Sequence, residues 1–237
     1  MKGCVFVKKS SLLVFALLQL LWIGPVFAHG VTAGDKGYIQ EITGAHLLPF
    51  VYLGAKHMVT GYDHILFLLG VIFFLYRMKD IGIYVSLFAI GHSTTMLAGV
   101  YFDTHVSGYL IDAIIGLSVA YKALDNMGAF QRVLGFQPNT KAATLIFGLF
   151  HGFGLATKIQ EYGLSPEGLL PNLLAFNVGV EMGQLLALGA ILILMGYWRR
   201  TASFGRYAYL ANGVILSAGL LLMQYQLTGW YFSQSVL

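Results

Sequence analysis

Six long apolar stretches, at approximately 58–76, 82–101, 107–124, 142–157, 170–197 and 207–228, dominate this chain. Each is close to the ~20 residues that a helix needs to cross a bilayer core of ~30 Å. Hydrocarbon offers backbone N–H and C=O groups no partner, so stretches of this kind fold as helices that satisfy their own backbone. Composition agrees: 57% of residues are hydrophobic and 10% charged, well outside the usual range of a soluble domain. The expected fold is an all-α integral membrane protein, a bundle of about six transmembrane helices preceded by a cleavable signal peptide and a short interfacial helix.

Residues 1–28 read as that signal peptide, with a basic start (Lys2, Lys8, Lys9), the apolar run SLLVFALLQLLWIGP and a compact end at Val26-Phe27-Ala28. The single cysteine, Cys4, falls inside it, which removes both a disulfide framework and a thiolate metal site. Residues 29–44 then form a polar N-terminal tail outside the cytoplasm, 45–228 a single transmembrane domain and 229–237 a C-terminal tail. The segment His46–Lys56 is apolar but interrupted by Pro49 and too short to span, and is expected to be interfacial or partly inserted. With the mature N-terminus outside, the cytoplasmic connections hold Arg77, Lys79, Lys122, Arg132, Lys141, Arg199, Arg200 and Arg206, whereas the outer connections hold Lys158 alone. This bias orients a multi-pass membrane protein with its mature N-terminus outside the cytoplasm. The net charge of +4 follows from topology and implies no nucleic-acid partner, and no phosphate-cradling loop occurs. The expected partners are the bilayer and, as an open question, a second copy of the chain.

Within the apolar stretches lie groups that lipid does not tolerate: His64, His92, His151 and Glu181. Ionisable side chains at bilayer depth cost several kcal/mol each and persist where they face a cavity, a partner or an ion. Asp63 precedes His64 and reads as ligand, second partner or helix-start cap; Ser93 follows His92; Asp112 lies near the start of the third span. Asn177, Glu181 and Gln184 recur at i, i+4 and i+7, hence on one helix face. Glycines at four-residue spacing bracket His151 (Gly148, Gly152) and Glu181 (Gly179, Gly183). Small residues so spaced let helices approach closely, so the fourth and fifth spans are expected to pack together and bring imidazole and carboxylate into one constellation.

Imidazole combined with carboxylate suits nickel, cobalt, zinc, iron or copper, not magnesium or calcium. Met58, Met96 and Met182 keep copper open. A proton is the other occupant such groups serve, as relays.

The runs GAKHMVTGYDHILF (Gly54 to Phe67), Gly91-His92-Ser93, FGLFHGFGLA around His151 and FNVGVEMGQ (Phe176 to Gln184) together resemble the HupE/UreJ family of bacterial membrane proteins, and more closely its second branch. The resemblance implies an inner-membrane protein linked to nickel-dependent hydrogenases and ureases that admits nickel or cobalt. It carries a ligand role over to His57, Asp63 and His64 and to His92, His151 and Glu181. Met58 stands where the nickel-permease branch tends to have proline, and Tyr62 where its motif usually has leucine, which leaves the metal open.

Three functions compete. A permease or facilitator for a divalent transition metal, not an enzyme, is preferred. A membrane-embedded zinc hydrolase would hold zinc with three histidines and activate water with an acid. A non-transporting accessory subunit for metalloenzyme maturation would need its polar residues only to knit helices.

Overall fold

The computed structural model describes residues 43–104, 106–161 and 167–234. The expected signal peptide and most of the tail at 29–44 lie outside these residues. Among them run eight helices: α1 (Leu47–Thr60), α2 (Tyr62–Ile72), α3 (Met78–Tyr101), α4 (Gly108–Asn126), α5 (Ala129–Leu134), α6 (Thr140–Glu161), α7 (Leu169–Arg199) and α8 (Ala202–Gln234). The last runs through Gln234, past the boundary expected at 228. Helices α3, α6, α7 and α8 are each long and apolar enough to cross a membrane. Helix α4 has 19 residues and carries Asp112, Lys122 and Asp125.

Three close helix pairs build the bundle, and glycine sets each of them. Between α1 and α7, a Cβ added at Gly183 would stand 2.6 Å from the Ala55 carbonyl oxygen, and Gly54 meets the Phe176 carbonyl as closely as its missing side chain allows. Between α3 and α6, a Cβ at Gly91 would stand 2.6 Å from the Leu145 carbonyl oxygen, and the Thr95 hydroxyl donates to the Leu149 carbonyl at 2.6 Å. Between α4 and α8, a Cβ at Gly116 would stand 2.6 Å from the Met223 nitrogen. In a bilayer, where lipid is as apolar as leucine, such close van der Waals approach is what holds helices together.

The register of these contacts gives direction. Val51 meets Gly179 and Ala55 meets Gly183, so α1 and α7 run parallel. Phe88 meets Gly148 and Gly99 meets Ala156, so α3 and α6 are parallel as well. Asp112 receives a hydrogen bond from Gln226, while Asn126 donates to Asn212 at 2.9 Å, so α4 and α8 are antiparallel. Six alternating crossings require these directions if α1 and α2 together make the first crossing.

That pairing redraws the first span. The segment His46–Lys56, expected to be an interfacial or partly inserted helix, is helical from Leu47, and α1 lies along α7 with Phe50, Leu53, Gly54, His57 and Met58 buried; the helix expected to run on from 58 to 76 is interrupted. At the start of α1 the His46 N–H donates to Asn172 Oδ1 at 2.7 Å. The chain then breaks at Gly61, continues as the 11-residue α2 and ends beside Arg199, which donates to the carbonyls of Ile72 and Phe73. Residues 47–73 thus accompany α7 along its whole length. Pro49 does not interrupt α1, because it occupies the first turn, where the missing N–H has no intrahelical acceptor to lose.

The glycine stripes also differ from expectation in their partners. The stripe at 148 and 152 packs on α3 and that at 179 and 183 on α1, not on each other. A stripe of small residues specifies that a close neighbour exists, and the neighbour is whichever helix offers a matching gap; here Gly91 and Gly54 supply it.

Candidate metal site

The break at Gly61 places two histidines within reach of each other. His57 lies in the last turn of α1, and Asp63 and His64 in the first turn of α2. The Gly61 N–H closes α1 by donating to the His57 carbonyl at 2.9 Å. A Cβ at Gly61 would stand 2.7 Å from His64 Nδ1, so any larger residue would push against that imidazole. His92 reaches the same point from the middle of α3, and His151 from α6.

His64 is the hub. Its ring centroid lies 5.1 Å from that of His57, 5.8 Å from His92 and 5.2 Å from His151. All are buried: His57 is 7% exposed, Asp63 1%, His64 0%, His92 1% and His151 0%. Phe67, Phe88 and Phe176 wall the group, with Phe88 5.0 Å from His151 and Phe176 6.0 Å from His57, centroid to centroid.

Two hydrogen bonds bear on the tautomers. His64 Nδ1 lies 3.2 Å from Asp63 Oδ1, and His151 Nδ1 lies 2.8 Å from the Phe147 carbonyl. An oxygen acceptor at Nδ1 calls for the proton there, which leaves Nε2 as the basic nitrogen. A carboxylate behind a histidine is the usual way to fix ring orientation and raise ligand basicity at a metal.

One nitrogen from each of His57, His64 and His92 forms a set lying within 4.8 Å of one another. A metal ~2.1 Å from each ligand needs them within about 4 Å, a closure of roughly an ångström that ring rotation supplies. The donor set fits a borderline divalent transition metal better than a hard cation.

The remaining expected residues lie elsewhere. Glu181 is exposed, lining a groove between α3 and α7 with Ser86, Ser93, Thr94 and Gln184. Because Ser93 donates to Asn177 at 2.9 Å and Gln184 to the Val85 carbonyl at 3.4 Å, Glu181 stands near the height of the histidines but outside their enclosure. Asp112 accepts from Lys158 at 2.8 Å and from Gln226 at 3.3 Å. Met58 and Met96 are fully buried, whereas Met182 is half exposed.

The aromatic wall and Gly61 did not figure in the expected site, yet a signal for the wall was present. Phe67 and Phe88 lie three and four residues from His64 and His92, one helical turn away on the same face, whereas Phe176 comes from α7 and no spacing announces it.

A comparison with protein-family models matches residues 33–234 to the family described as HupE / UreJ protein, in its second model. Neither curated proteins nor solved structures gave a match. The matched region contains all eight helices and every residue of the histidine group. This chain therefore belongs to the HupE/UreJ family of membrane proteins.

Proposed function

We propose that this chain is a permease or facilitator for a divalent transition metal, nickel or cobalt, in a bacterial inner membrane, with the start of α1 facing the periplasm. His57, His64 and His92 bind the ion, Asp63 orients His64, and His151 completes the wall and offers a further nitrogen. The observation that carries this reading is the convergence of imidazoles from α1, α2 and α3 at a helix break in the bundle interior. The family is generally related to nickel and cobalt transport, which supports the choice of cargo. Transporter sites commonly form where a spanning helix is interrupted, because the break frees the geometry that a continuous helix would fix. The excess of basic residues in the connections assigned to the cytoplasm supports the orientation.

Uptake of cobalt or nickel into proteoliposomes tests the proposal. The wild type accumulates metal, and folded His64→Ala and His92→Ala proteins do not; accumulation by both at the wild-type rate contradicts it. Binding weakens as pH falls, because protons compete with the metal for the same imidazole nitrogens.

One observation favours a second reading. Three histidines with an adjacent carboxylate also form the donor set of catalytic zinc. A hydrolase would retain one zinc per chain through purification and require it for lipid turnover, whereas cargo exchanges.

A further inference from the structure

A second ionisable cluster lies beyond the histidines. Phe147, His151, Gly154 and Lys158 recur at i, i+4, i+7 and i+11 along one face of α6, and Lys158 stands about 10 Å further along that helix than His151. Lys158 Nζ donates to Asp112 Oδ2 of α4 at 2.8 Å, with side chains 14% and 6% exposed. Gln226 of α8 donates to the same oxygen at 3.3 Å. The other oxygen, Oδ1, is buried and receives no hydrogen bond from the described residues. It faces Gly154, where an added Cβ would stand 3.5 Å away. The side chains of Ile111 and Ile115 also lie against Gly154.

We propose that Asp112 is a second cation site, an outer staging point for the transported divalent ion, and that Lys158 is its resident counter-cation, displaced when the ion arrives. The inference rests on the transport reading for its direction but not for its binding claim. A lone buried carboxylate would be costly, and the ammonium compensates it. Lysine suits this role because its charge is a point on a flexible stem that can swing toward water while its methylenes stay in place. The vacated position offers the two carboxylate oxygens of Asp112, a hard and sparse donor set that binds a hydrated divalent cation weakly. A weak oxygen site ahead of a nitrogen site satisfies the requirement of conduction, that binding be favourable enough to admit the ion and loose enough to release it.

Equilibrium titration of the full-length, detergent-purified protein with cobalt(II) tests the binding claim independently of transport. Wild type shows a tight class and a weaker class of sites. Lys158→Gln leaves Asp112 without its competitor and tightens the weaker class about tenfold or more. Asp112→Asn removes that class and leaves the tight one, and Lys158→Arg resembles wild type. In proteoliposomes Asp112→Asn raises KM for cobalt at least about fivefold with little change in the saturated rate. If folded Lys158→Gln and Asp112→Asn proteins both titrate as wild type, the pair only joins helices and the proposal is overturned. An Asp112→Asn/Lys158→Met protein with wild-type binding and KM overturns it equally. Should wild type bind in two classes yet transport nothing, the transport reading fails while the Asp112 site stands.

Discussion

Two buried ionisable clusters of this bundle differ in what their members gain from one another. At Asp112 and Lys158 the opposite charges neutralise each other across α4 and α6 at 2.8 Å. At the break in the first crossing, by contrast, four imidazoles surround one another with Asp63 as the adjacent acid. Opposite charges can serve packing alone, whereas like donors crowded together do not attract one another and gain most from a shared cation. Burial by itself is therefore a poor guide to a site, and the kind of neighbours decides.

The histidine group depends most on its hub, His64. His64→Ala is expected to weaken cobalt binding more than about 100-fold, since it removes both a ligand and the contact between His57 and the other rings. Calorimetric titration of the folded variant checks this, and an unchanged Kd would reduce the histidine group to packing. Asp63→Asn should be milder, about 10- to 100-fold, because it spares every nitrogen and disturbs only the orientation and basicity of His64. The same titration should show that loss while the thermal melt in detergent shifts little. Smallest is Glu181→Gln, expected to leave Kd within about threefold because the side chain faces the α3–α7 groove. A loss as large as that of His64→Ala would bring Glu181 into the ligand set and require the groove to close on the histidines.

Much of this was legible in the residues, and the exceptions have physical causes. The apolar lengths read correctly as a helical bundle, and the histidines at 64, 92 and 151 stood out because lipid penalises them. The glycine stripes announced close packing without naming partners, because a gap is complementary to any matching gap; only the register of Gly54 and Gly91 resolves it. Pro49 suggested an interruption, but a proline in a first turn interrupts nothing, and the real break is at Gly61, whose extended ψ of 102° ends one helix and starts the next. The face shared by Asn177, Glu181 and Gln184 was readable from spacing. Whether that face looked into the enclosure or into a groove was not, since periodicity fixes relative directions on one helix and not the position of its neighbours.

The most direct measurement is X-ray absorption at the metal edge of the cobalt- or nickel-loaded wild-type protein at one equivalent. About three imidazole nitrogens near ~2.1 Å are expected, with at least one lost in His92→Ala. A shell of oxygen donors alone, or an imidazole count unchanged by that substitution, would contradict a metal site at His57, His64 and His92.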